Sequence, residues 1–328
     1  MRIALPLLIV PDAFDRRDSA IPVVTLTGAT MGTGWRILFA CPRTTDPAAV
    51  EEKIVARLAG LVAEMSHWDP SSLLCRFNAA PAGRWLALPP DFAGVMATGL
   101  TIAAASGGAF DPAMGRLVDL WGYGPPGPTP PPTPDLIAAA LAVSTWKHLQ
   151  FDPGSRRLRQ PGGLALDLSG IAKGHAADAV ADLLAGLGLR DCLIEVGGEL
   201  VGRGIRPDGE PWWVDLEIPP GTAAAPLRVA LHGLAVATSG DYVRGPHTLD
   251  PRTGRPVANA VVSVSVLHPR AAAADAFATA LTVLGAEAGI AFAREQGLAA
   301  RIVTFNEGGT TEYLSPALAA MLDDGVGI

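Results

Sequence analysis

The stretch from Leu164 to Asp178 constrains the chain more than any other. Leu164, Leu166 and Leu168 recur at every second position, the period of a strand leaving a core. Ser169-Gly170 breaks that pattern, and from Ala172 the residues are good helix formers with apolar positions at helical spacing. A strand that turns at once into a helix leaves unsatisfied N–H groups and the positive end of the helix dipole at the junction. Anions bind readily at such places. Asp167 and Lys173 flank this one, so the turn could serve a metal ion and a phosphate. The other reading is a plain connection in which the glycines only make the bend.

The rest of the chain alternates short apolar runs with isolated helical patterns. Val23 to Ala40 is strand material bent at Gly28-Ala29-Thr30-Met31-Gly32-Thr33-Gly34, where backbone could approach a ligand or simply form a hairpin. Asp46-Pro47 supplies an N-cap and a proline at the first helical position. Val50, Ile54, Leu58, Leu61, Val62 and Met65 then mark an amphipathic helix that stops before Trp68-Asp69-Pro70. Trp68 could stack on a flat ligand ring or close the core, and the local pattern favours the core. Asp91 and Asp135 read as caps of helices that reach Ser106 and about Ser144, with a proline-rich excursion at residues 125–134 between them.

Downstream, Leu193–Val196 is a strand broken by Gly197-Gly198 and resumed at Glu199. Trp212–Ile218 alternates as a half-exposed strand, and Leu227–Leu231 with Leu234–Thr238 predicts a hairpin around His232-Gly233. Val261–Leu267 and a run near Arg301–Thr304 are strands; Ala271–Leu284, Ala286–Gln296 and a short segment from Ser315 are helices. Hairpins and separately clustered helices predict an α+β fold, with a mainly antiparallel sheet packed against helices. Residues 1–22 read as an N-terminal arm or leader and 23–328 as one domain.

A net charge of -7 with scattered lysines and arginines argues against a broad nucleic-acid-binding face. Cys41, Cys75 and Cys192 lie far apart, which argues against a disulfide framework or a zinc cluster and makes each a buried thiol. No stretch approaches the ~20 uncharged apolar residues of a membrane span. Asp275 and Thr279, four apart in a predicted helix, share a face. A carboxylate and a hydroxyl there suit a hard cation such as Mg²⁺ or Ca²⁺ that keeps waters and takes phosphate oxygens. Alternatively, Asp275 pairs locally and Thr279 bonds back to a carbonyl. His247, just before the tight turn Asp250-Pro251-Arg252-Thr253-Gly254, is either a general base or a surface histidine.

Six blocks in order resemble the ApbE family, the FAD:protein FMN transferases. They are Met31-Gly32-Thr33-Gly34-Trp35; Met65 to Pro70 with Arg76-Phe77-Asn78; Ser106 to Pro112 through Leu120-Trp121-Gly122; the stretch at Leu166–Asp178; Glu195-Val196-Gly197-Gly198-Glu199; and Ala237 to Tyr242 through Asp250–Gly254 and Ala274–Thr279. The resemblance implies a T-fold-like α+β domain that moves FMN from FAD to a Thr or Ser hydroxyl of a target flavoprotein and releases AMP. It implies Mg²⁺ held by Asp275, Thr279 and a main-chain carbonyl, that of Gly170. It places Lys173 and Asp167 near the FAD phosphates or adenosine, and Met31, Trp68, Asn78 and the turn Ala109-Phe110-Asp111 around the flavin and adenosine. Leu249 would touch FAD through its backbone, and His247 would be the base. Water in place of the protein hydroxyl would give an FAD pyrophosphatase, and loss of turnover a flavin-binding maturation factor. Thr27-Gly28-Ala29-Thr30 resembles the small acceptor motif these enzymes modify, here read as part of the enzyme's own core. Family members often carry a lipoprotein or signal sequence. Met1–Val10 shows neither a cleavage site nor a lipidation cysteine, so a cytoplasmic location is favoured over a periplasmic one.

Overall fold

The computed structural model describes residues 1–322 apart from 10, 16, 241–244 and 246. Strand β1 (Arg2–Ala4) and the single turn α1 (Asp12–Asp15) precede a hairpin of β2 (Val23–Thr30) and β3 (Thr33–Ala40). Next come α2 (Pro47–Met65), α3 (Leu73–Asn78), β4 (Trp85–Ala87), α4 (Pro90–Ala105), α5 (Gly115–Leu120) and α6 (Pro134–Leu141). Two short strands, β5 (Gln150–Asp152) and β6 (Arg157–Arg159), lead to α7 (Ala172–Gly186). Then follow β7 (Cys192–Val196), β8 (Glu199–Arg203), β9 (Trp212–Asp215), β10 (Leu227–Leu231) and β11 (Leu234–Gly240). The remainder is β12 (Leu249–Asp250), β13 (Arg255–Pro256), β14 (Val261–His268), α8 (Ala271–Leu284), α9 (Ala286–Glu295), β15 (Ala299–Asn306), β16 (Gly309–Leu314) and α10 (Pro316–Ala319).

The organising unit is an eight-stranded sheet in the order β16-β15-β14-β11-β8-β7-β3-β2, antiparallel throughout. Its side chains alternate between two apolar clusters, as a period of two requires. Cys192, Ile194, Val196 and Ala235 face the helical layer. Leu193, Val236, Leu267 and Ala299 face the other way, onto a small sheet β1-β10-β9 and α10. The fold is α+β, as the sequence predicts, and has three layers. The first strand, inside the segment read as an arm, pairs parallel with β10 and buries Ala4. Among the described residues, no helix is long and apolar enough to cross a membrane.

Five local expectations fail for identifiable reasons. The run Leu164–Leu168 is not a strand: the Asn78 side chain takes both the N–H and the carbonyl of Leu166, while Asp167 N–H goes to Pro112 and Gly115 N–H to Ala165. Its backbone groups are satisfied by a side chain and a loop instead of a ladder. The predicted hairpin at His232-Gly233 is a crossing between stacked sheets, since β10 pairs with β1 and β9 while β11 pairs with β8 and β14. There His232 Nδ1 donates to the Gly204 carbonyl and Gly233 N–H to that of Gly202. Asp91 and Asp135 lie inside their first helical turns; Pro89 and Thr133 occupy the cap positions, and the second helix ends at Leu141. Asp91 instead takes both Arg57 nitrogens and the His175 ring. Trp68 is 65% exposed, so it does not close the core. Cys41 and Cys192 are buried free thiols, but Cys75 is only half-buried, its Sγ turned toward the Ser66 and His67 carbonyls of the loop before α3.

Candidate functional site

Helices α7 and α8 cross so closely that a Cβ on Gly174 would stand 2.3 Å from the Ala271 carbonyl oxygen. Only glycine permits this approach. The buried carboxylate of Asp178 locks the crossing, accepting the Ala271 and Ala272 N–H groups at 3.0 Å each and so capping α8 from its neighbour. Arg270 sits 3.3 Å from the same carboxylate. The crossing sets Asp275 beneath the first turn of α7, where it accepts the Gly174 N–H at 3.2 Å. One turn further along α8, the Thr279 hydroxyl lies 3.1 Å from the position a Cβ on Gly170 would take. Gly170, more than a hundred residues away in sequence, is thus a neighbour of Thr279, and Asp275 lies one turn along the same helix. Burial pushes the Asp275 carboxyl up, opposed by the Lys173 ammonium and the Gly174 N–H.

The β7–β8 turn closes the other side. Gly197 and Gly198 both have positive φ (60° and 94°), and a Cβ on Gly197 would meet Thr33 at 2.7 Å and Lys173 at 3.2 Å. Beside it the Lys173 ammonium pairs with Glu199. Glu199 is 2% exposed, and its second carboxylate oxygen has no hydrogen-bond partner among the described residues. Burial, then the charge of nearby Asp275, push its carboxyl up to about 8 against the pull of Lys173. Sequence reasoning quoted Glu199 within a motif and gave it no role. The available signal was an acid followed at once by an apolar strand, which burial makes costly unless a cation answers it.

Each of the remaining expected residues has local partners of its own. Asp167 accepts the Ser169 N–H and hydroxyl at 2.9 Å each, shaping the turn; His67 Nδ1 lies 3.9 Å away, with His67 Nε2 3.3 Å from Asp119. Asn78 spends both ends of its amide on Leu166, so it positions the loop. Met31 (φ 49°) and Gly32 (φ 70°) form the two-residue turn between β2 and β3, a left-handed conformation rare for a methionine. Ala109 and Phe110 are buried, and the Phe110 ring lies 3.4 Å from the Cβ position of Gly170. Leu249 packs its side chain with Met114, Leu117 and Ile137 in a separate cluster, and its main chain lies in the β12–β13 ladder opposite Pro256. His247 Nδ1 bonds the Gly245 carbonyl at 2.8 Å; because a carbonyl only accepts, Nδ1 carries the proton and Nε2 the basic lone pair of the neutral ring. Asp241 and Tyr242 of the sixth block lie outside the described residues.

Asp111 is buried and accepts N–H groups from Trp146 at 3.0 Å and Ala113 at 2.8 Å. Burial raises its carboxyl to about 6, against those two donors. The folded chain therefore holds a proton that the unfolded chain releases, so this group favours folding at low pH and loses that advantage as pH rises from about 4 through 6. Asp111→Asn is expected to remove that decline, on the order of 2 kcal/mol, from urea unfolding measured at pH 4 to 7. An unchanged slope would contradict the assignment.

Among the described residues no three His, Cys, Asp or Glu side chains are grouped to hold a metal. A cation here must use mixed oxygens, and the pocket offers them: the Asp275 carboxylate and Thr279 hydroxyl on one helix face, against the backbone at Gly170. That donor set fits an open site for a hard cation.

Two solved proteins with which this chain shares its fold are flavin transferases. The flavinyl transferase ApbE of Pseudomonas stutzeri, in its apo form, superposes with a TM-score of 0.87 at 35% identity, covering 93% of this chain and 98% of that one. The flavin transferase ApbE from Vibrio cholerae gives 0.86 at 33% identity, covering 92% and 99%. The FAD:protein FMN transferase of Klebsiella pneumoniae is 35% identical over 317 residues, 92% of this chain and 90% of that protein. The ApbE family profile matches residues 31–302. The chain belongs to the ApbE family.

Proposed function

We propose that this chain is a Mg²⁺-dependent FAD:protein FMN transferase that joins FMN to a Thr or Ser hydroxyl of a target flavoprotein and releases AMP. The observation that carries this reading is the convergence of Gly170, Asp275 and Thr279 beside Lys173 at the start of α7. A helix N-terminus, a lysine and a hard-cation donor set together suit a pyrophosphate. Asp275, Thr279 and the Gly170 carbonyl would hold Mg²⁺, which when bound neutralises phosphate charge and stabilises the leaving group.

The chain's own groups do the rest. The acceptor oxygen attacks the FMN phosphorus, the bond to the AMP phosphate breaks, and the acceptor proton passes to His247 Nε2. Lys173 offsets charge on the phosphates, and Glu199 holds its ammonium in place. Trp68, exposed in the α2–α3 loop, offers a face on which a flat ring can stack. Asp167, Met31 and the main chain of Ala109-Phe110-Asp111 and Leu249 border the ligand, while Asn78 fixes the loop that carries Gly170.

Mass spectrometry of a carrier protein with a Thr-Gly-Ala-Thr tail, mixed with FAD, Mg²⁺ and this protein, tests the reading. An FMN adduct with equimolar AMP is expected. Free FMN with AMP and no adduct would make the protein a pyrophosphatase, and intact FAD would make it a binding factor. In the same assay His247→Ala is expected to slow transfer by about 10²- to 10⁴-fold. An unchanged rate across pH would remove His247 as the base.

A further inference from the structure

The two edges of the large sheet are built differently. At one edge β16 carries Glu312, which binds Arg2 and Arg301, and the Ala223 N–H bonds to Thr310. Charge and a covering loop protect an edge from pairing. The other edge is β2, eight residues reading Val-Val-Thr-Leu-Thr-Gly-Ala-Thr with no charge, no proline and an unbroken register against β3. Val24 and Leu26 turn toward the core, while Thr25, Thr27, Gly28 and Ala29 are exposed and small. Trp35 lies over Gly28 from β3, its ring 2.4 Å from where a Cβ would sit, so the strand needs a glycine at that point. Such an edge is a template for one more strand.

This edge also has a direction. It ends at Thr30, which pairs with Thr33, and Thr33 touches the Gly197 turn that abuts Lys173. A strand laid on β2 is therefore led, about 5 Å out from β2, to the mouth of the Lys173 pocket. We propose that the β2 edge is the docking site for the extended acceptor segment of the target protein, bound by strand addition so that its hydroxyl residue reaches the pocket. This rests on the transferase reading. Main-chain hydrogen bonds supply the affinity, and the small exposed residues of β2 leave room for the partner's side chains. The edge accordingly asks for an uncharged, extended segment of small residues.

Hydrogen exchange and kinetics with the same Thr-Gly-Ala-Thr-tailed carrier test this. On mixing, amides of residues 23–30 are expected to gain protection. In a Thr25→Lys, Thr27→Lys double variant the KM for the tail is expected to rise about tenfold, because charge and bulk on an edge strand oppose strand addition while its main-chain groups remain, with FAD affinity and kcat unchanged. Should that variant fold poorly, Thr25→Lys alone and a tail peptide with one N-methylated amide read the same contact. Adduct formation with no protection and an unchanged KM would overturn the docking site and leave the transferase reading intact. Protection of β2 without any adduct would uphold the docking site and overturn the transferase reading. A dimer in sedimentation that the lysines dissociate would give the edge to a second copy of the chain and overturn the proposal.

Discussion

Asp275→Ala is expected to lower FMN transfer by about 10³-fold or more while much of the FAD binding survives. Asp275 is the charged member of the oxygen set on α8, and Thr279 with a backbone carbonyl cannot hold a divalent cation without it. In the proposed reading flavin binding rests elsewhere, on Trp68, the Met31 turn and the Lys173–Glu199 pair. Alanine also strands the Gly174 N–H, which costs about 1–3 kcal/mol. Asp275→Asn separates the two effects: its amide oxygen can still accept that N–H, so stability is retained while the charge is gone. AMP release followed by chromatography, alongside thermal melts, checks both. Full turnover in the Asn variant, or in wild type under strong chelation, would sink the metal assignment.

The second large effect is on folding. Gly174→Ala places a methyl 2.3 Å from the Ala271 carbonyl oxygen and 2.5 Å from its carbon. Both are backbone atoms of a capped helix start, so no rotamer relieves the clash. The helices must part, pulling Asp275 from Gly174 and Asp178 from the two N–H groups it caps. A loss of about 3 kcal/mol, hence a Tm lower by several degrees, is expected. Gly186→Ala, in the same helix with nothing within 4 Å, serves as control and should be neutral or gain up to about 1 kcal/mol. Equal melting of the two variants would show that the crossing has room to spare.

Periodicity made much of the fold legible. The β2–β3 hairpin, α2 with its Asp46 cap, the Gly197-Gly198 break and α8 all stand where spacing put them. What spacing cannot convey is which partner satisfies a backbone. Leu164–Leu168 has a strand's alternation, yet one distant asparagine answers its polar groups; Leu227–Thr238 has a hairpin's pattern, yet its halves join different sheets. β16 escaped notice because Gly309–Leu314 is half-buried and polar, with no clean alternation. At the site, helical spacing gave Asp275 and Thr279 a common face, but only the crossing at Gly174 reveals what that face meets. Glu199 showed nothing by itself, because its meaning lies in the lysine across the turn.

Asn78 has a consequence of its own. A loop without strand neighbours would ordinarily be loose, and a ligand entering it would have to freeze it. Here one side-chain amide pins the centre of the loop, and Pro112 and Gly115 pin either flank before any ligand arrives. The entropy of ordering is lost during folding, so a phosphate captured at Gly170 in the proposed reaction would meet a mould already set.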